Sequence, residues 1–455
     1  MPSPLRESRS GSVATGFNPG TRAVDQYLAD VFARSTGSSP EYVSIRENDY
    51  DIVNESRIKL IAFYLPQFHP IPENDHWWGK GFTEWTLVSR ASPQFVGHYQ
   101  PRLPGELGFY DLRLPEIQKR QVELAKRYGI FGFCFHYYWF GGKRLLDLPL
   151  KQFLKNPELD LSFCLCWANE NWTRRWDGLS QEVLIAQAHS PDDDLAFIQS
   201  IEPALRDRRY IRVNGQPLLI VYRPGLLPDP KATVQRWRDY CTKWGGVYLV
   251  AVQAFETDDP RPIGFDAVVE FPPHQLGMGA PILNSQMAIV NPNYRGIIYD
   301  YNFFVETAKK IQRSDFPIFR GVCPSWDNEA RKPGRGEAYH ASTPALYREW
   351  LAESCRFAAK EPDPDKRLVF INAWNEWSEG AYLEPDRRYG YAYLQATAEA
   401  LKGFATPTDD GREIVVVSHD AANAGAQRLL ITLLEWLRDT KGIRPKIILR
   451  HGGPL

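Results

Sequence analysis

Leu368-Val-Phe-Ile-Asn-Ala-Trp374 runs directly into Asn375-Glu376-Trp377-Ser378-Glu379-Gly380. The first part is a short, continuous apolar run of the kind found in strands buried on both faces, and the second is a polar and aromatic loop. Working back along the chain, seven more such runs occur: Lys59–Pro66, Ile130–Tyr137, Leu161–Trp167, Pro217–Arg223, Val247–Gln253, Asp266–Phe271 and Pro317–Cys323. Each is followed by a loop and a segment that can be helical. Leu114 to Tyr128 is apolar at 114, 117, 124, 125 and 128, with Gly129 as a stop signal. Ser190-Pro191-Asp192-Asp193 and Thr343-Pro344 each combine a capping hydroxyl with a proline in the first turn. Alternating strands and helices mark parallel α/β units, and eight doubly buried strands close most economically as a (β/α)8 TIM barrel. An open doubly wound sheet shares the periodicity; the count of eight favours the barrel.

The barrel is expected over residues 57–403. Residues 1–56 form a polar, Ser/Gly-rich leader, expected to be partly disordered around an amphipathic stretch from Ala23 to Ala33. After a linker at 404–412, the segment 413–455 supplies a strand from Glu413, a helix from about Gln427 to Leu437 and a second strand, Lys446–Arg450. A single β-α-β unit is too small to bury its own faces. It is therefore expected to be the truncated start of another α/β domain.

Fifty-four Lys plus Arg against 55 Asp plus Glu leave a net charge of −1, so no long-range field recruits nucleic acid. Fourteen Trp and 22 Tyr suit ligands with C–H faces and hydroxyl rims, as sugars have. The six cysteines lie mostly in apolar runs and the start of the chain lacks the apolar core of a signal peptide, so reduced thiols and a cytoplasmic location are expected. Cys164 and Cys166 form a C-x-C pair with no second cluster to complete a metal site, and no apolar stretch reaches the ~20 residues that cross a bilayer. No metal and no cofactor are expected.

In a barrel, chemistry gathers at the carboxyl ends of the strands. Those ends and the loop after the first strand supply Gln67, His69, Trp78, Glu84, Trp85, His136, Tyr138, Trp139, Trp167, Asn169, Glu170, Trp172, Arg223, Glu270, Trp326 and Asn375 as candidate substrate-binding residues. Singly, each is as readily structural; together they suggest a glycan cleft. Glu376 and Glu379 are the candidate catalytic carboxylates, because glycosidic bond cleavage uses two. Three positions apart, they share a face only on a helical turn or tight loop. Glu170 and Glu270 are alternative carboxylates. No G-x-S-x-G elbow and no H-x-H after the first strand are present.

Ala62–Pro70, Trp77-Trp78-Gly79, Gly81–Trp85, Trp167–Trp172 and Trp374–Gly380 together resemble the WbsX-like family of bacterial surface-polysaccharide biosynthesis proteins. That family is similar to glycoside hydrolase family 99, the endo-α-mannosidases and endo-α-mannanases. The resemblance spans roughly residues 57–403. It implies a barrel without metal that retains anomeric configuration, with Glu376 as base toward the sugar 2-hydroxyl, giving a 1,2-anhydro sugar, and Glu379 as acid and then base. Ser378 departs from the pattern, since the hydrolases often have His there. The tail, with Ser418-His419-Asp420 and the Gly425-Ala426 turn, looks like the opening of a GT-B glycosyltransferase. The leading expectation is an enzyme cleaving or transferring glycosidic bonds of an O-antigen or capsule-type polysaccharide. The alternatives are a non-catalytic glycan-binding barrel serving a covalently linked glycosyltransferase, and a glycosyltransferase whose donor site lies in the barrel.

Overall fold

A computed structural model of the chain describes residues 19–36, 39–45, 56–174, 179–254, 259–311, 314–404, 415–418, 425–441 and 446–449. Eight strands form the expected barrel: β1 (Lys59–Tyr64), β2 (Ile130–Phe140), β3 (Ser162–Trp167), β4 (Gln216–Val221), β5 (Tyr248–Gln253), β6 (Ala267–Glu270), β7 (Ile318–Val322) and β8 (Leu368–Ile371). All neighbouring pairs are parallel, and β1 pairs with both β2 and β8, which closes the ring. The strands are buried almost throughout, as their unbroken apolar runs require.

Among the described residues six of the connections between successive strands carry an α-helix, α1 (Pro115–Arg127), α2 (Leu148–Lys155), α3 (Pro191–Leu205), α4 (Pro230–Cys241), α5 (Asn302–Ala308) and α6 (Pro344–Ala359), and α7 (Ala392–Leu401) follows β8. The described part of the β5–β6 connection holds only the 3₁₀ turn Arg261–Ile263. The caps act as their chemistry dictates. Ser190 accepts from the Asp193 amide at 3.0 Å, and Thr343 from the Leu346 amide at 3.2 Å. Tyr128 caps α1, and Gly129 follows with a positive φ of 83° that a glycine adopts without strain.

The leader differs from the expectation in two respects. A helix spans Pro19–Thr36, longer than the stretch whose periodicity marks it, and Val43 exchanges backbone hydrogen bonds with Tyr389 and Tyr391. Residues 39–45 are therefore fastened to the barrel by main-chain pairing, which a polar composition does not reveal. In the tail, Val415–Ser418 and Lys446–Leu449 pair in parallel, and a helix spans Gly425–Lys441. His419 and Asp420, the rest of the linker and the remainder of the leader lie outside the described residues. No helix among the described residues is long and apolar enough to cross a membrane.

The β6–β7 seam shows how closely the barrel is packed. A Cβ placed on Gly321 of β7 would lie 2.2 Å from the carbonyl oxygen of Glu270. That oxygen is backbone and cannot yield without parting the two strands. Gly321→Ala is expected to destabilise the barrel by roughly 1–3 kcal/mol or more, read as a lower urea midpoint.

Candidate active site

After β8 the chain folds back on itself: Asn375–Glu376 pairs antiparallel with Ala381–Tyr382, and Trp377–Glu379 between them is one 3₁₀ turn. In a 3₁₀ turn side chains three positions apart are eclipsed, so Glu376 and Glu379 leave the turn on one side. Gly380 closes the turn at φ 62°; a Cβ there would come within 2.9 Å of the Arg102 guanidinium and 3.0 Å of Asp327 Cβ. Only glycine fits both the conformation and the space.

Three buried networks hold the turn. The Asn375 amide accepts from the Leu65 N–H at 2.7 Å and donates to the Leu65 carbonyl at 3.0 Å, tying the turn to the end of β1. Trp377 stacks on Tyr382 at 3.8 Å and donates its indole N–H to Glu384 at 2.7 Å. Glu384 also accepts from Gln121 and Tyr110, and burial still pushes its carboxyl up to about 7 against those donors. On the other flank the Asp327 N–H donates to the Glu379 carbonyl at 2.7 Å, while its carboxylate contacts His98 and Gln100 at 2.8 Å each and lies 3.7 Å from Arg102.

Both carboxylates meet one cation. Arg331, from the loop after β7, donates through Nη1 to Glu379 Oε1 at 2.5 Å and through Nη2 to Glu376 Oε1 at 2.7 Å. Nη2 also reaches Glu84 Oε1 at 3.2 Å. Burial pushes the Glu376 carboxyl well above the usual range; Arg331 opposes this, and the charges of Glu379 and Glu84 add to it.

The pair lies in a cleft of about 1060 Å³. Of the residues singled out from the sequence, Gln67, Trp78, His136, Tyr138, Glu170, Trp172 and Trp326 line it together with Glu376 and Glu379. Gln67 donates to the Tyr138 hydroxyl at 2.9 Å, and its buried carbonyl oxygen has no hydrogen-bond partner among the described residues. Sequence reasoning missed Arg331, Phe271, His274, Tyr299 and Tyr339, which also line the cleft, as do the strand-end residues Tyr222 and Asn328. Burial pushes the His274 imidazole down to about 4, so it is neutral at ordinary pH.

The other candidates lie elsewhere, each for a physical reason. Trp139 faces outward, bonded to Asp193 and packed on Phe197 of α3; Trp167 stacks on the same ring at 4.3 Å. Trp85 donates to the Tyr110 carbonyl and packs against Phe68 and Trp377. Asn169 clamps the Arg223 backbone from both sides, and Arg223 in turn pairs with Glu170 at 2.8 Å. His69 is buried at 2% exposure, and burial lowers its pKa. Glu270 pairs with Arg320, whose guanidinium lies 5.1 Å over the Phe357 ring of α6; this ion pair faces the helical layer. Glu84 and Asn375 are wholly buried behind the cleft wall. Ser378 is also fully buried, its hydroxyl turned to the Glu84 carbonyl at 3.4 Å, so this departure from the hydrolase pattern does not line the cleft. Among the described residues no group of three or more His, Cys, Asp or Glu side chains is arranged to hold a metal.

The family model described as Glycosyltransferase WbsX matches residues 60–397, about three quarters of the chain and all of the geometry above. The chain belongs to the WbsX glycosyltransferase family. Uncharacterized proteins WxcX from two strains of Xanthomonas campestris pv. campestris, B100 and ATCC 33913, are each 52% identical to this chain over 344 residues, 75% of this chain and 49% of theirs. The chain thus spans about half the length of the curated relatives it matches. Among solved structures, the GH99 endo-alpha-mannosidase of Bacteroides thetaiotaomicron aligns with a TM-score of 0.45 at 16% identity, covering 76% of this chain and 96% of that one. A glycoside hydrolase-like protein aligns at 0.48 and 14%, covering 79% and 98%.

In this WbsX-family chain the Asp327 network has a measurable signature. Although burial opposes it, His98, Arg102 and the Glu329 amide hold the Asp327 carboxyl at about 2. A depressed carboxyl contributes stability above the unfolded-state value, near 4, and loses it as the pH falls through 2. The stability gap between the native chain and Asp327→Asn is therefore expected to narrow by roughly 2 kcal/mol from pH 5 to pH 2, measured by urea unfolding.

Proposed function

We propose that the barrel cleaves or transfers glycosidic bonds of a bacterial surface polysaccharide with retention of configuration, using Glu376 and Glu379. One observation carries this reading: two carboxylates of a single turn meet on one guanidinium in a large cleft lined by aromatic rings. Aromatic faces bind the C–H faces of sugars, and orphaned acceptors such as Gln67 Oε1 suit hydroxyl donors.

The roles follow from the resemblance to family 99 together with the local electrostatics. Glu376 removes the proton of the 2-hydroxyl, whose oxygen attacks the anomeric carbon; Glu379 protonates the leaving oxygen and then activates the incoming water or acceptor hydroxyl. A buried carboxylate with a raised proton affinity is a stronger base toward a hydroxyl than an exposed one. The geometry of a 1,2-anhydro intermediate requires a 2-hydroxyl trans to the leaving group, as in α-mannosides. We further read the Val415–Leu449 unit as part of a GT-B-type glycosyltransferase fold, and six buried free thiols suit a cytoplasmic location.

Glu379→Gln is expected to lower turnover of a defined α-mannoside by at least about 10³-fold while leaving glycan affinity nearly intact. Wild-type chain that binds the glycan tightly but turns none over would identify a binding barrel instead. The reaction needs one proton on the pair. The productive form carries that proton on Glu379 with Glu376 as carboxylate; because burial raises the affinity of the coupled pair for its last proton, the alkaline limb of kcat/KM is expected well above the ordinary carboxylate range. A limb within that range would contradict these roles.

A further inference from the structure

Arg331 belongs to a loop far in sequence from the catalytic turn, and it takes one oxygen, Oε1, from each glutamate. The second oxygen of each is left to react. In the reaction proposed above, on which this inference rests, the first step moves a negative charge. Glu376 begins as carboxylate and gains the 2-hydroxyl proton; O2 bonds to C1; the C1–leaving-oxygen bond breaks with its electron pair on oxygen; that oxygen takes the proton of Glu379. In the second step the oxygen of water or an acceptor hydroxyl bonds to C1 while giving its proton to Glu379, and the C1–O2 bond breaks with its electron pair on O2, which takes the proton back from Glu376. Charge therefore passes from one carboxylate to the other and back in each turnover.

A cation beside one carboxylate alone would resist that transfer, because a unit charge at close range is held strongly where water is scarce. A cation touching both, at 2.7 and 2.5 Å, remains in contact with the charge wherever it lies. We propose that Arg331 is the positioning residue of the pair, letting a single negative charge pass between Glu376 and Glu379 without losing its counter-ion. Glu84 holds the guanidinium from behind at 3.2 Å, from the first turn of the helix Glu84–Arg90. Among the described residues, titratable groups that also act on the cluster include the Tyr138 hydroxyl at the end of β2 and the Tyr222 hydroxyl just beyond β4. Neither supplies a second cation. Lys332, the neighbouring base, is directed to Glu337.

The test is a carboxyl ¹³C NMR titration of the full chain labelled at the glutamate side-chain carboxyls, with Glu376→Gln and Glu379→Gln assigning the two resonances. In the wild type each resonance should respond in both proton-loss steps of the pair, as coupled groups do. Arg331→Met should displace both titrations upward by about one pH unit or more. Arg331→Lys, which keeps the charge but cannot span the two carboxylates, should restore part of that shift while the two resonances separate. Independent titrations in the wild type, or an Arg331→Met or Arg331→Lys profile that overlays the wild type, would overturn the inference. Should Arg331→Met fail to fold, Arg331→Lys and the wild-type titration decide the matter alone. The readout needs no substrate, so it fails separately from the catalytic reading, which stands or falls on turnover by the Gln variants.

Discussion

A guanidinium surrounded by three carboxylates, screened by little water, governs the upper end of this barrel. Arg331 is 16% exposed at its side chain and Glu84 not at all. Charges so placed interact far more strongly than on a surface, yet each has also lost its hydration, so the cluster is tolerable only if its geometry is good and its surroundings rigid. Removing the cation would leave three buried acids facing one another. Removing any acid would leave the cation with fewer partners than its burial demands. The charges thus fix the loop after β7 against the turn after β8, and that constraint shapes the floor of the cleft.

The neighbouring networks are the support that such a cluster requires. Asn375 ties the turn to β1, Glu384 grips Trp377 from below, and Asp327 holds the Glu379 carbonyl from the side. Each is a fully buried polar group with partners, which costs little once satisfied and much if broken. Gly380 lets Arg102 and Asp327 approach close enough to complete the arrangement. Position is therefore imposed on the two glutamates by the fold, and a preorganised pair is what a reaction with developing charge needs.

The barrel was legible because every strand is buried on both faces, which gives eight apolar runs that agree with the strands to within a few residues. The glutamate pair was legible because it is local, seven residues from Trp374 to Gly380. Arg331 was not. It sits in Asp327-Asn328-Glu329-Ala330-Arg331-Lys332, where charge follows charge and no periodicity distinguishes the buried base from the exposed one beside it. The candidates on strands that do not line the cleft share a simpler cause, since side chains along a strand alternate in direction. His136 and Tyr138 face the cleft while Trp139, next on the same strand, faces α3, and Trp167 and Glu270 face outward likewise. Closer use of that alternation from a single known inward residue, such as His136, separates the two sets. The clamps made by Asn169 and Asn375 carry no sequence signal, because an amide bonded to backbone looks the same as one awaiting a hydroxyl.

The most direct measurement of the central claim is a crystal structure of the Glu379→Gln chain with an oligosaccharide α-mannoside bound. The account predicts one sugar ring over the turn, its 2-hydroxyl within hydrogen-bonding distance of Glu376, its glycosidic oxygen facing position 379, and Arg331 still in contact with Glu376. A sugar ring seated elsewhere in the cleft, or either side chain of the turn directed away from that ring, would contradict it.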